Sequence, residues 1–140
     1  MSPRVKYTPK EVELLARLMR SEALGEGDVG MLQVGNVVIN RVVAKCDVFK
    51  MTDTITSAVY QTNAFAGVNT LLFNQGFSAK ELELAQRAID SYRAYPAYGA
   101  LWFKNPGLNV PCPPEFFGVL AGRYKLHCFY DPKRDLNCII

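Results

Sequence analysis

The sequence predicts an α+β chain that is mainly helical and carries a small antiparallel sheet. Apolar residues recur at helical spacing through the first two thirds of the chain, and two capping boxes, Thr8 with Glu11 and Ser78 with Glu81, mark helix starts. Beyond Ala100 the pattern changes to short apolar runs stopped by Asn-Pro-Gly and Asp-Pro. Helices followed by strands is the α+β order. At 140 residues and 49% hydrophobic, the chain fits one domain over 1–140 and can bury a core.

The first helix starts at Thr8-Pro9-Lys10-Glu11, with Pro9 at the position where its missing N–H costs nothing. Val12, Leu15, Leu18 and Met19 form its inner stripe, and Gly25 and Gly27 end it. Asp28 is the expected cap of a second helix through Met31, Leu32, Val34, Val38, Ile39 and Val42. This helix is apolar on nearly every side and is therefore central, with Gly35 admitting a close neighbour. A short helix is expected over 53–60 with Asp53 as cap, then an extended or looped stretch over 61–68. Ser78 opens a helix whose inner face is Leu82, Ala85, Ala88, Ile89 and Tyr92, closed by Tyr95-Pro96. Leu101-Trp102-Phe103 reads as a strand. Pro113-Pro114-Glu115 reads as the start of a short helix ending near Gly122, and 124–130 as a second strand.

The net charge of +3 is mild and its basic residues are scattered, as at Arg17, Arg20, Arg41 and Arg123. That excludes a dense nucleic-acid stripe and suits approach to an anionic polymer such as peptidoglycan. No run is apolar enough to span a bilayer, and Met1 to Tyr7 lacks a secretory core, so synthesis in a cytoplasm without signal-directed export is expected. Cys46, Cys112, Cys128 and Cys138 match no zinc or redox spacing. Reduced thiols are the expectation, with a Cys112–Cys128 disulfide as the alternative in an oxidising shell. With one histidine and dispersed cysteines, no metal site and no cofactor is expected. His127 and Cys128 would face opposite sides of a strand, which argues against a Cys–His nucleophile pair.

Glu22 is the most informative residue. It lies four residues after Leu18, three after Met19 and seven after Leu15, so the apolar stripe of the first helix runs into a carboxylate. Partial loss of solvation raises a carboxyl pKa and keeps it protonated, as a general acid requires. The alternative is a helix-end Glu pointing to water. Glu26 suits a cap or loop anchor better than a second catalytic acid, because two carboxyls on adjacent turns do not flank a sugar from opposite sides. Asn36 and Asn40, four apart on the central helix, either bond substrate amides or orient Glu22, or else take the partners that any polar residue in so apolar a helix must find. Gln61 is the best substrate-positioning candidate, beside Tyr60 and Phe65. Trp102 and Tyr130 are the aromatic residues chosen to stack on sugars, and Arg41 is expected to tie the loop after the first helix, for instance to Glu26.

The segment Glu22-Ala23-Leu24-Gly25-Glu26-Gly27 is similar to the E-A-x-G-E-G signature of the SleB/CwlJ cell-wall hydrolase family. Val34 to Val42 resembles that family's V-x-N-V-x-x-N-R-V helix. Tyr60-Gln61 with Phe65 resembles its F/Y-Q-x-x-x-F element, and 101–106 and 125–130 its strand segments. Asn63-Ala64 stands where many relatives carry Pro-Gly or Gly-Gly before the Phe, and 73–77 has no counterpart. The cysteines and the absent signal resemble the CwlJ branch. The resemblance implies a lysozyme-like fold, Glu22 as catalytic acid, and action on muramic-lactam-rich spore cortex peptidoglycan. It also implies synthesis in the mother cell, residence at the coat and cortex boundary, and a spore-coat partner. A single acid suits a lytic transglycosylase. A peptidoglycan amidase or peptidase, and a non-catalytic coat or wall-binding protein, are the alternatives.

Overall fold

The first capping box forms in full. In a computed structural model that describes residues 3–61, 64–138 and 140, Thr8 Oγ1 accepts from the Glu11 N–H at 3.2 Å and Glu11 Oε1 from the Thr8 N–H at 3.1 Å. This opens α1 (Pro9–Ala23), which leads through one 3-10 turn into α2 (Gly27–Val43). Three shorter helices follow: α3 (Ile55–Val59), α4 (Leu71–Asn74) and α5 (Ala79–Ile89). Strands β1 (Trp102–Lys104), β2 (Glu115–Phe116), β3 (Gly118–Tyr124) and β4 (His127–Asp131) form an antiparallel sheet in the order β1-β4-β3-β2. The architecture is the mainly helical α+β, lysozyme-like plan.

α2 is the central helix because it has almost no wet side: Val34, Val37, Val38 and Ile39 are all fully buried. α1 and α5 pack against it at Gly35. A Cβ added there would lie 3.0 Å from both Ala88 Cβ and Met19 Sδ, so a glycine is what lets three helices meet. The main core joins Leu15, Leu18 and Met19 of α1 to Ala85, Ala88 and Ile89 of α5. A second cluster holds Leu101, Trp102 and Tyr130 of the sheet.

Several local expectations are corrected. Asp28 does not cap α2. The helix begins at Gly27 with Glu26 at the cap and no side-chain cap bond, and Asp28 reaches out to Lys80 at 3.0 Å. The cap of α3 is Thr54, not Asp53. Tyr92 lies past the end of α5 and is half-exposed. Residues 113–122 form no helix. They make the β2–β3 hairpin, because 119–124 pairs along β4 and tertiary pairing outweighs a local helix-start signal. The expected strand over 124–130 is broken at Lys125, whose φ of 51° turns β3 into β4. α4 was not anticipated; Thr70 Oγ1 caps it by accepting from the Phe73 N–H. The reduced-thiol expectation is also overturned. Cys46 bonds to Cys138 and Cys112 to Cys128, because the fold brings the tail back to the loop after α2 and lays the 105–114 loop along β4.

Candidate active site

Glu22 stands on the last turn of α1, half-buried where the apolar stripe ends. Its Oε1 accepts a 3.1 Å hydrogen bond from the Gly67 N–H. Gly67 must be a glycine: an added Cβ would run into Ser21 Oγ and come within 3.1 Å of Glu22 Cδ. The loop therefore lies directly on the carboxyl. Burial pushes the Glu22 pKa up; the charge of His127 and the Gly67 N–H act in the opposite sense, and burial prevails.

Glu26 is buried and committed. Its Oε1 lies 2.7 Å from His127 Nδ1, its Oε2 accepts from the Leu126 N–H at 3.3 Å, and its backbone carbonyl accepts from Lys125 Nζ at 3.1 Å. Three bonds from the β3–β4 turn make it the anchor that fastens the sheet to the start of α2. His127 is itself buried, and its ring meets Phe103 edge-on at 5.2 Å. Pattern reading treated His127 only as a possible cysteine partner. Its true partner is 101 residues distant, and the only sequence signal was that it is the sole histidine.

A cleft of about 580 Å³ opens between the helical part and the sheet, lined by Arg41, Phe49, Gln61, Trp102, Phe103 and Phe117 among others; Glu22 is not among its lining residues. The loop over 61–70 serves both places: Gln61 and Ala64 line the cleft, while Gly67 binds Glu22. Thr62 and Asn63 lie outside the described residues. Phe65 is buried behind the cleft wall, stacked on Phe103 at 5.8 Å and covered by the Arg41 guanidinium at 4.6 Å. It shapes the wall without presenting a face to solvent.

Three of the sequence candidates take structural roles. Asn36 donates to the Tyr92 carbonyl at 2.7 Å and accepts from the Ala94 N–H at 2.9 Å. Asn40 donates to the Ala100 carbonyl at 2.9 Å and reaches those of Ala97 and Tyr98. Both are fully buried, so their amides hold the 92–100 loop and offer nothing to a sugar. Tyr130 is fully buried too, with its hydroxyl given to the Pro113 carbonyl. Trp102 faces the cleft, and the ring stacked on it is Phe117, at 6.3 Å and 26°. Phe117 is 71% exposed at the tip of the β2–β3 hairpin; reading that segment as a helix concealed it. Arg41 does not reach Glu26. Its Nε donates to the Leu101 carbonyl at 2.7 Å.

All four cysteines are in disulfides, so no thiolate is available as a nucleophile. Among the described residues no three His, Cys, Asp or Glu side chains converge on a metal position.

The family model described as Cell Wall Hydrolase matches residues 25–130, a span that opens just past Glu22. Proteins described as cell wall hydrolase CwlJ are similar over nearly the whole chain. The one from Oceanobacillus iheyensis is 48% identical, covering 91% of each chain. The one from Bacillus subtilis is 43% identical, covering 94% of this chain and 92% of its own. Among solved structures, the catalytic domain of the Bacillus cereus SleB protein superposes with a TM-score of 0.73 at 21% identity, covering 91% of this chain and 96% of that one. The catalytic domain of the germination-specific lytic transglycosylase SleB from Bacillus anthracis gives 0.72 at 19%, covering 89% and 97%. At that identity the likeness is one of fold.

Proposed function

The chain belongs to the cell wall hydrolase family and is a peptidoglycan hydrolase, and from that premise we propose that it cleaves the glycan strands of spore cortex peptidoglycan as a lytic transglycosylase, with Glu22 as its one catalytic acid. The observation that carries this reading is the unequal state of the two carboxyls. Glu22 is held by a single backbone N–H and burial raises its pKa, whereas Glu26 is spent on His127 and the Leu126 N–H. Hydrolases that invert or retain need two working carboxyls, roughly 5–9.5 Å apart on either side of the sugar. A transglycosylase needs one.

In the proposed step Glu22 gives its proton to the glycosidic oxygen as the C1–O4 bond breaks. The carboxylate left behind takes the proton of the sugar's own C6 hydroxyl, whose oxygen closes on C1 to give a 1,6-anhydro end. Water is not consumed. Gln61, on the cleft wall, is the proposed substrate contact, with the buried Trp102 and Phe65 supporting the wall from behind. The proposal extends to residence at the coat and cortex boundary, delivered from the mother cell with a coat-protein partner and without nucleic acid or bilayer insertion. Two disulfides suit an oxidising shell of that kind, and among the described residues no helix is long and apolar enough to cross a membrane. Mass spectrometry of digested cortex tests the reaction. Anhydro-sugar ends are expected. New reducing ends would make it a hydrolase, and cleaved stem peptides an amidase or peptidase.

A further inference from the structure

Arg41 is a buried cation without a counter-ion. Only 5% of it is exposed, yet among the described residues no carboxylate pairs with it. Its Nε is used on the Leu101 carbonyl, and the flat faces of Phe65 and Phe49 lie 4.6 and 5.3 Å from its guanidinium carbon. Burial lowers its pKa to about 10, which leaves it charged at neutral pH. Ring faces and one carbonyl offset only part of the cost of burying a guanidinium; a bidentate anion is the partner its fork fits. Arg41 is among the residues that line the cleft, which is the route by which that partner arrives from solution.

The rest of the cleft says what carries the anion. Trp102 and the exposed Phe117 form a stacked aromatic wall, and Gln61 adds an amide. The wall is held in place by the backbone. Phe117 has a φ of 62°, unusual for a bulky residue. The next residue, Gly118, has no room for a Cβ, which would meet the Asp131 carbonyl and sit 2.8 Å from the Trp102 ring. Aromatic faces with one amide suit a saccharide ring and its acyl groups, and a cation at the base suits a carboxylate attached to that saccharide.

We propose that this cleft is a subsite for a peptide-substituted sugar of the glycan strand, in which Arg41 binds a carboxylate of the stem peptide while Phe117, backed by the buried Trp102, takes the sugar face. The inference rests on the proposed glycan-strand activity and deepens it. Cleavage would then be steered to positions next to a sugar that still bears its peptide.

The test compares glycan chains carrying stem tetrapeptides with the same chains after amidation of their carboxylates, titrated into the full chain bearing Glu22→Gln so that nothing is cut. Free-carboxylate chains are expected to bind about tenfold tighter, the scale of one charge-assisted bond. That difference is expected to vanish in Arg41→Gln and to persist in part in Arg41→Lys. Should Arg41→Gln not fold, the Arg41 guanidinium NMR signal provides the second measurement, and it is expected to shift with free-carboxylate chains and not with amidated ones. Equal affinity for the two chains, a difference that survives Arg41→Gln, or an unmoved Arg41 signal overturns the subsite. Cleavage by the unmutated chain is followed in parallel. Anhydro ends from both substrates without a binding difference leave the proposed reaction standing and remove only the subsite. A binding difference without any glycan cleavage removes the reaction.

Discussion

At the scale of single residues, Glu22 is a carboxyl whose pKa is raised by burial where α1 ends. Its position on the apolar stripe was legible in the sequence, because helical spacing is a local property. What opposes the burial was not: the Gly67 N–H arrives from 45 residues away and the His127 charge from β4. A carboxyl whose folded-state pKa stands above its unfolded value stabilises the fold most below the unfolded value, near 4.5. That contribution is lost as pH rises through the folded value. Glu22→Gln removes the charge that is costly at neutral pH, while the amide oxygen can still accept from Gly67. The variant is therefore expected to melt a few degrees above the unmutated chain at pH 7.5 and level with it at pH 4, measured by calorimetry. A variant that melts lower at pH 7.5 would show that the charged carboxylate is welcome where it stands.

At the scale of elements, the polar face of α2 decides how the helical part meets the sheet. Gln33 donates to the Tyr95 carbonyl, Asn36 brackets Tyr92 and Ala94, and Asn40 gathers the carbonyls of the loop that feeds β1. The four-residue spacing of Asn36 and Asn40 was visible in the sequence, and so was the need of buried amides for partners; Gln33 carried no such reading. The partners themselves are backbone carbonyls of a loop with no pattern of its own, which no spacing rule identifies. Asn40→Ala would leave these carbonyls buried and unpaired, at a cost of about 1–3 kcal/mol for a lost buried bond. The expected outcome is a lower midpoint in urea, with KM for glycan unchanged at temperatures where the variant is folded. A raised KM in a fully folded variant would return Asn40 to the substrate. The β2–β3 hairpin makes the same point in reverse. Pro113-Pro114-Glu115 looks like a helix start because local rules cannot see β4, and with the hairpin went Phe117, the most exposed ring of the cleft.

At the scale of the whole molecule, long-range closures set the shape. The class, the central helix and the run of α1, α2, α3 and α5 followed from periodicity and caps. Of the disulfides only Cys112–Cys128 stood among the sequence alternatives; Cys46–Cys138 did not, because it depends on which loops the fold brings together. Cys46–Cys138 closes a separation of 92 residues and Cys112–Cys128 one of 16. Chain-entropy reasoning assigns them roughly 4.5 and 3 kcal/mol as upper values. Paired Cys46→Ser and Cys138→Ser substitutions are expected to lower the melting temperature more than the Cys112 and Cys128 pair does. A reductant should lower that of the unmutated chain by at least as much as either pair of substitutions. If reductant leaves the transition in place, the bridges do not support the fold in solution. Leu136, two residues before Cys138, lines the cleft together with Val48 and Phe49, so the tail that carries the longer bridge also borders the cleft.

The account depends most on proton transfer from Glu22, and the initial rate of cortex-fragment cleavage by Glu22→Gln against the unmutated chain measures it directly. A correctly folded variant slowed by about a hundredfold to ten-thousandfold, the range of a lost general acid, is the predicted result. A folded variant that cleaves at the native rate would contradict it.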